Sequence, residues 1–139
     1  MITAYQLGIV AAGVFFLNGL LTGVWKFRAM AASPEGLAHP YVDIAHRASL
    51  LYSFAALLLA TFAQISQLPA TVELVAIGLP LAYFAIAIVG YMVQGYRKET
   101  DNQFRDTSTS LAIATWSLVV AEIGGFIVLF YGVLLAIGA

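Results

Sequence analysis

Four stretches of the chain are almost wholly apolar, and short polar segments separate them. The stretches run from Tyr5 to Trp25, from Val42 to Gln67, from Ala70 to Tyr96 and from Thr107 to Ile137. A helix needs about 20 apolar residues to cross the hydrocarbon of a bilayer, and each stretch meets that length. The pattern predicts an all-α protein with one domain over residues 1–139, built as a bundle of four transmembrane helices.

The composition excludes a soluble domain. Hydrophobic residues make up 62% of the 139 residues and charged residues only 9%, which is more apolar surface than one small core could bury. Cysteine is absent, so the chain has no disulfides and no thiolate metal ligands. The net charge of -1 excludes the basic footprint of a nucleic-acid-binding protein. The expected surroundings are therefore a lipid bilayer.

The basic residues define the expected orientation. All of them lie in or beside the first and third connections: Lys26, Arg28, Arg47, Arg97, Lys98 and Arg105. Because cytoplasmic loops carry the excess of Lys and Arg, we expect the loops at residues 26–41 and 97–106 to face the cytoplasm. Both termini would then lie outside, in the periplasm if the protein occupies a bacterial inner membrane, as we expect.

Turn, capping and small residues mark the ends and contacts of the helices. Residues 33–36, SPEG, predict a turn, and Pro40 and Pro69 suit the first turn of a helix. The candidate caps of the fourth helix are Asp106 with Thr107 or Ser108. Small residues that would permit close helix contact are Gly19 with Gly23, Gly90, and Gly124 with Gly125.

The second stretch opens with most of the intramembrane chemistry. Its polar residues recur every three or four positions and so form one stripe on a helix: His39, Asp43, His46, Ser49 and Ser53. An ionisable group inside a span is costly, so we interpret His46 as a ligand or proton-transfer residue rather than a hydrogen-bonded core histidine. Asp43 is either an ordinary first-turn acid or the partner that orients His46.

Depth along the helices predicts which polar side chains meet. At a rise of 1.5 Å per residue, His46 lies about 9 Å into its helix, and Tyr91 of the third helix returns to that level. One layer deeper, the same count brings together Asn18, Tyr52 and Tyr83. We therefore expect two stacked polar layers that open from the cytoplasmic side.

Haem is the cofactor that suits these residues best. His39 and His46 are roughly 10 Å apart by helical rise, which is too far for one mononuclear metal ion. A haem needs one axial His and an apolar cleft, and a basic residue such as Arg97 at the mouth suits its propionates. The chain has no CxxCH motif, so a haem would be held noncovalently.

Three short motifs follow one another along the chain. They are SPEG followed by Ala45-His46, then Val89-Gly90-Tyr91, then Asn102-Gln103-Phe104 with Asp106. Together, over all four stretches, they resemble the styrene oxide isomerases and, more loosely, the hydroxylaminobenzene mutases. Styrene oxide isomerases are trimeric four-helix membrane enzymes. They bind haem b at subunit interfaces and use ferric iron as a Lewis acid to convert an epoxide into an aldehyde.

The resemblance implies a site and a function. His46 would bind the haem iron, Tyr91 would face it, and the protein would be a homotrimeric epoxide isomerase with a small hydrophobic aromatic substrate. Tyr52 and Tyr83 stand where the family carries an Asn and an Asp. The implied catalytic residues are Tyr91, Tyr52 and Tyr83, and the implied haem contacts are His46, Tyr91, Asp43 and Arg97.

Two other classes of function stay open from the residues alone. One is a haem-binding electron-transfer or sensor protein, although one His and one Tyr provide no bis-His pair. The other is a small proton-coupled transporter or assembly partner built around His46 and Glu122. Glu122 itself is either protonated and hydrogen-bonded to a neighbouring helix or part of a second polar site.

Overall fold

The computed structural model describes residues 2–105 and 108–138, and that part of the chain is built from four long helices. They are α1 (Ala4–Ala31), α2 (Pro40–Ile65), α3 (Ala70–Arg97) and α4 (Thr109–Gly138). All four are long and apolar enough to cross a membrane. The prediction of an all-α bundle of four membrane helices is confirmed, and the chain is an integral membrane protein.

Successive helices run antiparallel. Near one end of the bundle Gly8 of α1 lies against Ala60 of α2, and near the other end Lys26 of α1 pairs with Asp43 of α2. Within the described residues, α4 contacts α2 and α3 but not α1. The ends of α1 and α3 and the starts of α2 and α4 share one end of the bundle, which carries the Lys and Arg residues. We call it the basic end.

α1 is longer than the hydrophobic pattern predicted. It continues to Ala31 instead of ending near Trp25, so the predicted loop over residues 26–41 shrinks to residues 32–39. Lys and Arg are good helix formers, and Lys26 Nζ lies 2.5 Å from a carboxylate oxygen of Asp43. The predicted end was wrong because charge, which ends an apolar stretch, does not end a helix.

The first connection follows its turn residues. The Gly36 N–H donates to the Ser33 carbonyl at 3.0 Å, and Gly36 has a φ of 67°, so the predicted SPEG turn is confirmed. Pro40 is the first residue of α2, also as predicted. His39 caps that helix, because its Nδ1 accepts the Tyr41 N–H at 3.3 Å. His39 is therefore a capping residue at the basic end.

α3 and α4 begin at different kinds of N-terminal residue. Pro69 immediately precedes α3, one position before the predicted first turn. The Ser108 hydroxyl accepts the Leu111 N–H at 3.2 Å, which makes it a cap of α4. The other two predicted caps, Asp106 and Thr107, lie outside the described residues.

A glycine lets α4 approach α3 closely. Pro80 lacks an N–H, so the helix leaves the Ala76 carbonyl without its usual donor. A Cβ on Gly125 would overlap that carbonyl oxygen and would come within 2.6 Å of the Pro80 ring. The fully buried residues of α4 all lie from this crossing toward the end opposite the basic end: Gly125, Leu129, Gly132 and Val133.

Gly125→Leu should lower the free energy of unfolding by about 1 to 3 kcal/mol, because a side chain there forces α3 and α4 apart. Gly124→Leu is the matched control, since a Cβ at Gly124 meets nothing within 4 Å. Unfolding in mixed detergent, followed by circular dichroism, measures both variants. Equal stability of the two variants would contradict the close crossing.

Candidate functional site

The polar stripe of α2 faces α1. At the basic end, the two oxygens of Asp43 accept from Lys26 at 2.5 Å and from Arg47 at 2.8 Å. Farther from that end, the Asn18 side-chain amide donates to the Ser49 hydroxyl at 2.9 Å. Lys26 and Asn18 of α1 are thus partners of the stripe, whereas Ser53 donates to the Leu50 carbonyl of α2 itself.

His46 is oriented by a backbone carbonyl. Its Nδ1 lies 2.8 Å from the Gly19 carbonyl oxygen, which can only accept a hydrogen bond. In the neutral imidazole, Nδ1 therefore carries the proton and Nε2 has the lone pair. The alternative in which Asp43 orients the imidazole does not occur, because two cations engage that carboxylate instead.

Glycines of α1 make room for the His46 ring. A Cβ on Gly23 would lie 3.0 Å from Cε1 and 3.2 Å from Nδ1 of His46. A Cβ on Gly19 would lie 2.6 Å from the Leu50 side chain. The close helix contact predicted for Gly19 with Gly23 is confirmed, and its effect is to hold the imidazole against α1.

The Nε2 atom of His46 is free and accessible. Among the residues that the structure describes, Glu122 Oε1 is the one buried side-chain nitrogen or oxygen without a hydrogen-bond partner. His46 Nε2 makes no hydrogen bond there either, so it is not sealed in the core. A histidine with one nitrogen bound to a backbone carbonyl and the other free has the usual arrangement of a metal ligand.

An apolar groove of about 660 Å³ lies between α1 and α3. It is lined by Trp25, Val89, Met92, Val93, Tyr96 and Arg97. Trp25 is two residues beyond Gly23, so the two lie about 200° apart around the helix. Arg97, the predicted propionate partner, therefore lies on the opposite flank of α1 from His46.

The predicted tyrosines have aromatic partners. Tyr91 stacks on Tyr41 with ring centroids 6.2 Å apart, and the Tyr41 hydroxyl accepts the Gln103 N–H at 2.6 Å. Tyr52 stacks on Phe84 at 4.2 Å. These pairs lie between α2 and α3, whereas the described contacts of His46 are with α1.

The residues predicted to form the deeper polar layer lie in separate places. Asn18 donates to Ser49 and, at 3.6 Å, to the sulfur of Met92. Tyr83 instead lines an apolar groove of about 950 Å³ between α3 and α4. The expected meeting of Asn18, Tyr52 and Tyr83 does not occur, because equal depth fixes a level in the membrane but not a direction around each helix.

Glu122 lies on the inward face of α4, two helical turns before the buried Leu129. Its Oε1 is buried without a hydrogen-bond partner among the described residues. Of the two alternatives for this residue, a hydrogen bond of this oxygen to a neighbouring helix therefore does not occur there, and a second polar site stays a prediction.

A metal ion without a cofactor has no set of ligands among the described residues. Residues 2–105 and 108–138 contain no group of three or more His, Cys, Asp or Glu that could hold a metal ion, whereas a haem needs only one axial side chain. No protein-family model, curated protein or solved structure matches the chain. The fold and site define a four-helix membrane protein with a half-buried histidine, His46, whose Nε2 has no hydrogen-bond partner among the described residues.

Proposed function

We propose that the protein binds haem b through His46 and isomerises small aryl epoxides to aldehydes, as the styrene oxide isomerases that it resembles do. The main support for this proposal is the geometry of His46. Its Nδ1–H donates to the Gly19 carbonyl, and its Nε2 has no hydrogen-bond partner among the described residues. Imidazole nitrogen is a common axial ligand of haem iron. The unpaired Nε2 of the half-buried His46 supports this role.

The proposed haem site lies between copies of the chain. His46 lies on one flank of α1, and the apolar groove with Arg97 lies on the other. When complementary surfaces lie on different faces of a molecule, association is head to tail, and it closes into a ring if the rotation allows. In the homotrimer that the resemblance implies, such a ring would bring each groove against the next chain's His46.

Native mass spectrometry tests this assembly. We expect a haem-loaded trimer, and Arg97→Ala should weaken both haem retention and the trimer because the propionates lose a cation. Lys98→Ala is the neighbouring control, since Lys98 does not line the groove. A haem-loaded monomer would contradict an interface site.

In the proposed reaction, residues of the chain orient the substrate and exclude water from it. A ferric haem supplies a Lewis acid, which weakens a carbon–oxygen bond of an epoxide. The Tyr91 hydroxyl would donate to the substrate oxygen as negative charge develops on it. Apolar walls around the substrate exclude water, so the carbon that becomes positive takes a migrating hydride instead of a hydroxyl, and the product is an aldehyde rather than a diol.

Turnover tests the proposed reaction. Purified ferric protein should convert styrene oxide into phenylacetaldehyde without an electron donor. A haem-loaded protein that turns over no aryl epoxide would favour the electron-transfer or sensor function. A protein that takes up no haem would favour the proton-coupled transporter.

The proposed orientation places the basic end in the cytoplasm of a bacterial inner membrane. It rests on the clustering of all six Lys and Arg residues at that end. Reporter fusions at Ala139 and within residues 98–105 should report opposite sides, with Ala139 in the periplasm. A cytoplasmic C-terminus would contradict the orientation.

A further inference from the structure

One face of α4 changes its surroundings along the helix. Leu129 and Val133 on this face are buried in the half away from the basic end. At helical spacing, the same face continues toward the basic end through residues that are all only half-buried: Leu111, Thr115, Leu118 and Glu122. The inward face of α4 is therefore fully covered beyond the Gly125 crossing and only partly covered before it. We call the partly covered space between this half of α4 and the α2–α3 pair the α4 cleft.

Glu122 lies at the closed end of the α4 cleft, next to the crossing. Its Oε1 is sealed from solvent without a hydrogen-bond partner, while Oε2 is not sealed. No ion pair of Glu122 occurs among the described residues. Because a charge without a counter-ion is costly inside a membrane, we expect a neutral carboxyl, which has one O–H to donate.

Two phenols lie on the sides of α2 and α3 that face the core. Tyr52 packs against the buried cluster that includes Leu129 of α4, and Tyr91 lies one helical turn beyond Ile88 of the same cluster. Their hydroxyls have no partner among the described hydrogen bonds, yet neither is a sealed atom, so both reach accessible space. The stacked rings of Phe84 and Tyr41 hold the two tyrosines in place. The cleft thus presents three neutral O–H donors on aromatic and aliphatic walls.

We propose that Glu122, with Tyr52 and Tyr91, forms a binding site for a small lipophilic molecule that carries one hydrogen-bond-accepting oxygen, and that the Glu122 carboxyl selects that oxygen. The unsealed Oε2 can carry the carboxyl proton and donate it to a ligand oxygen, while Oε1 stays sealed behind it. Epoxides, ketones and aldehydes belong to this chemical class. The site stands on α2, α3 and α4 and can be tested without haem, and it shares Tyr91 with the proposed epoxide reaction.

A matched pair of ligands tests the proposal. Acetophenone and α-methylstyrene have nearly the same shape, but only acetophenone carries an acceptor oxygen. Binding to full-length protein in nanodiscs is measured by equilibrium dialysis, with empty nanodiscs subtracted. Wild type should bind acetophenone more tightly, and Glu122→Met should reduce that preference about 2- to 10-fold, the value of one hydrogen bond.

Two further variants distinguish a loss of ligand recognition from a loss of protein stability. Glu122→Gln keeps a donor of the same size and should keep most of the preference for acetophenone. Val120→Met changes a side chain that is 70% exposed toward lipid on the same helix, and it should change nothing. Glu122→Met should also raise the melting temperature, because it removes an unpaired polar atom, whereas a carboxyl with a structural role would make the same variant less stable.

The outcomes are distinguishable from those of the haem proposal, because the same assay is run in the haem-free His46→Ala protein. A preference for acetophenone that persists there and falls in Glu122→Met supports the cleft, whatever the haem experiments show. Equal binding of the two ligands by wild type would overturn it. An unchanged preference in Glu122→Met, or a lower melting temperature of that variant, would also overturn it.

Discussion

His46→Ala should lose its haem while remaining folded in the membrane. The substitution removes the free Nε2 that we propose as the iron ligand, together with the Nδ1 bond to Gly19. Losing an outer partner of a ligand already weakens metal binding by about 10- to 100-fold, so losing the ligand itself should weaken haem binding by more than about 100-fold. The Soret absorption of purified protein, divided by its protein concentration, measures the loss.

Three control variants make this result specific. His39→Ala should keep haem, because His39 caps α2 through its contact with Tyr41. Gly23→Ala should weaken haem binding without abolishing it, since the new Cβ would lie 3.0 Å from His46 Cε1 and push the ring away. Gly13→Ala is its control, because a Cβ there meets nothing within 4 Å. Wild-type Soret absorption in His46→Ala would refute the ligand assignment.

Tyr91→Phe should lower styrene oxide turnover by about 10² to 10³, the usual cost of one donor to a developing oxyanion. Phe keeps the ring that stacks on Tyr41, so the α2–α3 packing and the haem content should stay unchanged. The loss should appear in kcat more than in KM, because the donor acts mainly on developing charge. Initial rates of phenylacetaldehyde formation measure it.

Tyr131→Phe is the matched control for Tyr91→Phe. Tyr131 lies on α4 and is 56% exposed, so its hydroxyl should not affect turnover. Equal activity of the two variants would remove Tyr91 from the reaction. A loss of haem in Tyr91→Phe would instead make it a structural residue.

The hydrophobic pattern predicted the four helices, but it did not predict that α1 continues past the charged residue Lys26. The four stretches correspond to four helices because a bilayer leaves few other folds for such a chain. α1 extended beyond its prediction because Lys26 found a partner in Asp43, which lies in the next helix. That ion pair is a contact between helices, and no local pattern encodes it.

The sequence predicted which residues would form the candidate site, but it predicted only part of their arrangement in space. The polar stripe around His46 followed from helical spacing, and it does share one set of partners on α1. The Gly19 carbonyl was missed because a backbone acceptor has no sequence signature. Its one trace was the spacing of Gly19 and Gly23. Tyr83 was placed by its depth and Arg97 by its charge at the mouth of the site, and neither criterion fixes a direction around α3.

Titration of the haem-free wild-type protein in nanodiscs with haemin tests the central claim most directly. The account predicts a Soret change that saturates at one haem per chain, with nitrogen as the axial ligand in resonance Raman spectra. It also predicts that this saturable phase disappears in His46→Ala. A linear, unsaturable uptake equal to that of empty nanodiscs, or a saturable phase that survives without His46, would contradict it.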